Sequence, residues 1–196
     1  EKDLMYTYIN AFDFGKPTGL NLPGESCGKT TSYPRWSYYT TTSVPMGHEI
    51  SVTPLQMAKA YACFANGGYL LKPEILKKIV SPEGAVLEEN QVPSIIRRIL
   101  TDETCEKMNV ILTDVIETGT GRKGKISVPS AGKTGTTKKL DPDGSYSHTK
   151  YIASFVQFAP VDNPRLLVMV SVNEPKNSIY GGEVAAPISA RILQQS

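Results

Sequence analysis

The tetrapeptide Lys133-Thr134-Gly135-Thr136 has the residue types and spacing for chemistry in this 196-residue chain. A lysine followed by two hydroxyl residues at alternate positions of an extended strand projects both hydroxyls to one side of a sheet. The glycine between them removes a side chain and lets a ligand backbone approach closely. A peptide could add to this strand as a further strand. The Thr134 and Thr136 hydroxyls, in the positive field of Lys133, would then hold its terminal carboxylate. The backbone N–H of Thr136 would face the reacting carbonyl. An edge strand with a glycine bulge would also account for the four residues taken alone, so their surroundings decide between the readings.

Other patterns with chemical overtones fail on context. Gly28-Lys29-Thr30 and Gly132-Lys133-Thr134 resemble the end of a phosphate-binding loop, but the glycine that loop needs five positions earlier is Pro23 or Ser127. Gly119-Thr120-Gly121-Arg122-Lys123-Gly124 matches a dinucleotide-binding fingerprint, yet it follows a helix and precedes a strand, which makes it a turn. The spacing S-x-x-K, which on a helix lets a lysine activate a serine, occurs at Ser26 to Lys29, Ser130 to Lys133 and Ser147 to Lys150. The first lies in a glycine-rich loop, the second leads into a strand and the third belongs to a hairpin, so none brings amine and hydroxyl together. Ser171-Val172-Asn173 imitates an S-x-N element but lies inside an apolar strand.

Composition narrows the partners. Lys and Arg outnumber Asp and Glu by 21 to 19, too even a balance for a nucleic-acid surface. Cys27, Cys63 and Cys105 are widely spaced and odd in number, and His48 and His148 lie a hundred residues apart. That spacing supports neither a disulfide framework nor a metal site, and no cofactor is expected. The apolar run Leu166 to Val172 falls far short of the ~20 residues of a membrane span and reads as a buried strand. No signal peptide opens the sequence at Glu1-Lys2-Asp3.

At this length one domain is expected, and its elements follow from periodicity. Leu4, Tyr8 and Phe12 place a short amphipathic helix over Lys2 to Phe12, and irregular chain follows from Gly15 to Pro45. Thr53-Pro54-Leu55-Gln56 combines a cap, an N1 proline and a capping-box glutamine, predicting a helix to Asn66-Gly67 that packs through Leu55, Ala58, Ala62 and Ala65. Residues 75 to 96 predict a hairpin turning at Ser81 to Gly84. A second helix starts at Thr101 and presents Met108, Ile111, Leu112 and Val115. Strands at Ser130 to Lys138, Tyr151 to Ala159 and Arg165 to Asn173 have short turn-rich links, predicting an antiparallel meander, and a helix closes the chain over Val184 to Gln194. The fold class is α+β, an antiparallel sheet with flanking helices.

The tetrapeptide also keeps specific company. Gly19 to Glu25, Gly47 to Ala58, Ala65 to Gly68, Gly119 to Gly121, Gly132 to Thr137 and Tyr180 to Gly182 follow in order along nearly the whole chain. Together they resemble the class B penicillin-binding proteins. Lys138-Lys139 and the tail Tyr180 to Pro187 look most like the cell-division, septum-building branch.

The resemblance implies a partial penicillin-binding/β-lactamase-like transpeptidase fold, with residues 1–196 forming the C-terminal part of the domain. It implies a serine D,D-transpeptidase that cross-links peptidoglycan stem peptides ending in D-Ala-D-Ala, at the extracytoplasmic face of the bacterial membrane. Its acyl-enzyme is also formed by β-lactams. Lys133 would assist proton traffic and carboxylate binding, Thr134 and Thr136 would hold the carboxylate beside Gly135, and the Thr136 amide would form half of the oxyanion hole. One such donor is worth ~10²- to 10³-fold in rate. Tyr146, Tyr151 and Tyr180 fall where relatives place aromatic residues beside the cleft. Glu1 falls just past where S-x-N would end, so the nucleophilic serine, the helical half of the domain and the anchor are expected upstream, and this chain alone should be inactive. Partners implied are stem peptides, β-lactams, that upstream half and cell-division proteins. A non-catalytic β-lactam-sensing or partner-docking module is the alternative, and a hydrolytic relative fits the loop motifs less well.

Overall fold

A computed structural model describes residues 2–20, 22–90 and 93–196 and divides them into two compact units. Asn21 of the Gly19 to Glu25 stretch, Glu1, and Gln91 and Val92 of the 75–96 region lie outside the described residues.

The first unit comprises Glu1–Lys59 and Tyr69–Ile99. It opens with helix α1 (Lys2–Ala11), continues irregularly through the short helix α2 (Thr40–Ser43), and enters helix α3 (Pro54–Ala65). The capping box at the start of α3 is present in full. The Gln56 N–H donates to Thr53 Oγ1 at 3.1 Å, and the Thr53 N–H donates to Gln56 Oε1 at 2.8 Å. The Gln56 side-chain amide also donates to the carbonyls of Lys16 and Cys27, tying two loops to the helix. This second role buries Gln56. The deeply buried α3 positions are Gln56, Lys59, Ala60 and Cys63, not the predicted stripe of Leu55, Ala58, Ala62 and Ala65, which stays half-buried. Strands β1 (Tyr69–Leu71) and β4 (Ile95–Arg98) pair antiparallel, and β2 (Lys78–Val80) pairs with β3 (Val86–Glu89) as the expected hairpin.

Asp13 is the charged hub of this unit, held at a left-handed φ of 58°. Arg97 pairs with its Oδ1, and Lys16 and Lys59 approach its carboxylate to 3.4 and 3.5 Å. Burial alone would raise the carboxyl, but the Arg97 hydrogen bond and the three cations outweigh it and hold it below the usual carboxylate range. A depressed folded value means the stabilisation is complete above about pH 4 and lost as pH falls through the lower, folded value. Acid titration of tertiary structure should therefore show a component below about pH 4 that Asp13→Asn removes, since asparagine still tolerates the left-handed backbone.

The second unit comprises Ala60–Gly68 and Leu100–Ser196. Helix α4 (Asp102–Glu117) is capped by Thr101, whose hydroxyl accepts the Thr104 N–H at 3.2 Å. It buries Cys105, Leu112 and Ile116, whereas predicted Ile111 is 55% exposed. Apolar residues at 108, 110–112, 115 and 116 cover more than one face, and its packing partners cover only part of that arc. A 3₁₀ turn (Arg122–Gly124) leads to strands β5 (Ala131–Leu140), β6 (Tyr146–Ala159) and β7 (Leu166–Asn173), the predicted antiparallel meander in the order β5-β6-β7. β6 begins at Tyr146 rather than Tyr151, because the tight Asp141 to Gly144 turn lets pairing resume at Leu140 and Tyr146. The closing helix is split. α5 (Gly181–Val184) is followed by α6 (Ala186–Gln195), and Pro187 in the first turn of α6 has no N–H to bond to the turn before it.

β6 is the central strand, and Ala-Ser-Phe-Val-Gln-Phe-Ala reads apolar almost throughout because both its faces are covered. Phe155 packs with Ile116, Ala185 and Ala186, and Phe158 with Leu112 and Ala131. Gln157 interrupts this core and is wholly buried. Its amide donates to the Gly124 carbonyl at 2.8 Å and to Ser130 Oγ at 3.0 Å, and its carbonyl accepts the Ser189 hydroxyl at 2.9 Å. One side chain thus pins the 122–124 turn, the entry to β5 and helix α6 to the sheet. Gln157→Met keeps the volume and strands three buried polar groups. A loss of about 2 kcal/mol is expected from urea unfolding.

Candidate functional site

Strand β5 lies at an edge of its sheet, paired on one side with β6 through Lys133↔Val156, Thr134↔Phe155, Gly135↔Ser154 and Thr136↔Ala153. Side chains alternate across a strand, so Thr134 and Thr136 share the face that carries Phe155. Next to that face the chain turns into α5. The Gly181 N–H reaches Thr136 Oγ1 at 3.4 Å, and Thr120 Oγ1 lies 2.8 Å from Thr134 Oγ1.

These elements enclose a hollow of about 540 Å³, lined by Thr120, Arg122, Thr134, Thr136, Tyr180 and Gly181 among others. That volume falls within the usual range for small-ligand sites. The expectation that both threonine hydroxyls face one side is met.

Gly135 has a reason that lies within the sheet. A Cβ there would stand 2.4 Å from Ser154 Oγ on the neighbouring strand, so a side chain would fit only if that hydroxyl rotated away, whether or not a ligand approaches.

Lys133 is exposed and donates from Nζ to the Thr134 carbonyl at 2.8 Å, beside the hollow rather than in its lining. Tyr180, 60% exposed, is at the rim. Tyr151 and Tyr146 stand farther along the hairpin, opposite Lys138 and Leu140, and neither lines the hollow.

Thr120, Arg122, Lys123 and Glu183 join the site without being expected from the sequence. Thr120 and Arg122 belong to the glycine-rich segment read as a turn. It is a turn, and its side chains line the site. Lys123 forms an ion pair with Glu183 of α5 at the rim. The signal available was the nearness in sequence of two hydroxyl-bearing, glycine-flanked segments, Gly119 to Gly121 and Lys133 to Thr136. Among the described residues no group of His, Cys, Asp and Glu could hold a metal ion, and no helix is long and apolar enough to cross a membrane.

Chemically, the arrangement offers adjacent hydroxyls, a free strand edge with its backbone N–H groups, and a cationic rim. It suits an extended peptide ending in a carboxylate.

Comparison with known proteins identifies the family. Residues 1–194 match the penicillin binding protein transpeptidase domain. Stage V sporulation protein D of Bacillus subtilis is 36% identical over 197 residues, covering 100% of this chain and 30% of that protein. The probable peptidoglycan D,D-transpeptidase PenA of Neisseria flavescens is 31% identical, covering 98% of this chain and 46% of its own length. The crystal structure of penicillin binding protein 3 from Mycobacterium tuberculosis complexed with aztreonam superposes with a TM-score of 0.88 at 31% identity, over 98% of this chain and 46% of that one. The chain thus spans less than half the length of each of these relatives.

Proposed function

The chain belongs to the penicillin-binding protein transpeptidase domain family, and from that premise we propose that it supplies the substrate-recognition strand of a peptidoglycan D,D-transpeptidase. In this reading β5 receives a stem peptide ending in D-Ala-D-Ala, or a β-lactam in its place. The Thr134 and Thr136 hydroxyls hold the terminal carboxylate, Lys133 adds positive charge and assists proton transfer, and the Thr136 N–H polarises the carbonyl under attack. Gly135 keeps the strand narrow, and Tyr180 borders the ligand, with Tyr151 and Tyr146 farther along the same hairpin.

The observation that carries this reading is the convergence of the Thr120, Thr134 and Thr136 hydroxyls on one hollow beside a free strand edge. The aztreonam complex of the mycobacterial relative supports a β-lactam as ligand.

The attacking serine is assigned to sequence outside these 196 residues. Ser26 Oγ accepts the Gly28 N–H in a loop, Ser130 is buried against Gln157, and Ser147 Oγ accepts the Lys150 N–H within β6. None opens a helix with a lysine one turn on. In this reading the full protein works on the extracytoplasmic side of the membrane, in septal wall synthesis with cell-division partners. Lys138-Lys139 and the tail Tyr180 to Pro187 favour that branch.

The test is covalent labelling by a fluorescent penicillin, mapped by mass spectrometry. The full-length protein should be labelled at a serine outside residues 1–196, and the isolated chain should stay unlabelled. A labelled serine within residues 1–196 would overturn the assignment.

A further inference from the structure

The hollow beside β5 has a cation that the reading above leaves unused. Arg122 sits on the 3₁₀ turn that lines it, exposed, and among the described residues no carboxylate pairs with its guanidinium. Its neighbour Lys123 is already matched by Glu183. Lys133 spends its ammonium on the Thr134 carbonyl outside the lining. Of the three cations around Thr134 and Thr136, only Arg122 both lines the hollow and is without an acceptor.

The turn that carries Arg122 is fastened at several points. The Gly121 N–H donates to the Val115 carbonyl at 2.8 Å, the Lys125 N–H to the Arg122 carbonyl at 3.2 Å, and buried Gln157 holds the Gly124 carbonyl at 2.8 Å. A side chain used for recognition is best mounted on backbone that does not move. A guanidinium is the side chain suited to a carboxylate, because its fork of N–H groups can meet both oxygens.

We infer that Arg122 is the charge partner of the ligand's terminal carboxylate, acting beside the Thr134 and Thr136 hydroxyls. This rests on the proposed function and adds one recognition residue to it.

The test compares wild type, Arg122→Gln and Arg122→Lys in the full-length protein. It measures second-order rates of acylation by benzylpenicillin and by its methyl ester, at low and high salt. Arg122→Gln should slow acylation by the free acid about threefold to tenfold at low salt, the size expected of a solvent-accessible charge-assisted pair. Arg122→Lys should recover part of that loss. Salt should slow the wild type more than Arg122→Gln, because screening acts only where the charge pair exists. The ester, which has no carboxylate charge, should react at the same rate with all three proteins.

Equal loss with acid and ester, or equal salt dependence of wild type and Arg122→Gln, would overturn the inference. If the ester is too slow to measure, the salt comparison decides alone. Failure of wild type to be acylated at all would instead strike at the proposed function.

Discussion

Gly181→Ala is expected to destabilise the protein by about 3 kcal/mol or more, and to damage the site with it. A Cβ at this position would stand 2.1 Å from the Ser154 carbonyl oxygen and 2.6 Å from that of Gly135. Both are backbone atoms of paired strands, so neither can turn aside as a flexible side chain would. Helix α5 must then lift off the sheet. Lifting it breaks the Gly181 N–H to Thr136 Oγ1 contact and loosens Ala185 and Ala186 from Phe155, whose packing depends on close fit. Thermal unfolding and penicillin acylation measured on the same preparation should both fall. Gly144→Ala is the control. Its Cβ would meet nothing within 4 Å, so only the strain of its φ of +84° remains, costing about 1 kcal/mol and leaving acylation untouched.

The second large effect is on chemistry rather than stability. Thr134→Val combined with Thr136→Val keeps the shape and strand preference of both side chains and removes two hydroxyl donors from the hollow. Hydrogen bonds to a charged group are worth about 1.5–3 kcal/mol each, and neighbouring losses do not add in full. Acylation of the full-length protein by benzylpenicillin should therefore fall about 10²- to 10³-fold, with stability lowered by only about 1 kcal/mol as the Gly181 N–H loses its long contact to Thr136 Oγ1. A fall of only a few-fold would show that the carboxylate is held elsewhere.

The sequence made much of this visible. The capping box at Thr53 and Gln56, the Ser81 to Gly84 hairpin and the three-stranded meander each leave a local mark, in a side chain that reaches back to its own backbone or a turn that permits one pairing. The alternation of Thr134 and Thr136 across Gly135 is likewise a property of any extended strand.

What stayed hidden depends on packing between distant segments. Thr120 and Thr134, fourteen residues apart, are hinted at only by their shared glycine-flanked hydroxyl pattern, and nothing local marks Gly181 as the point where a helix touches two strands. Gln157 looks like a polar lapse in an apolar strand until Gly124, Ser130 and Ser189 are seen around it. The buried stripes of α3 and α4 were misjudged for the same reason. Helix α4 carries more apolar residues than one face can hold, and α3 buries the polar Gln56 and Lys59 through their partners, so in both the buried face is chosen by what covers the helix.

The contact between Thr120 and Thr134 has a further consequence. These two hydroxyls satisfy one another, so a group that bonds either must displace that contact first. A neutral carbonyl would exchange like for like and gain little. A carboxylate accepts stronger, charge-assisted bonds and leaves a surplus. On the proposed function, the pair would favour a free acid over an amidated or esterified chain end.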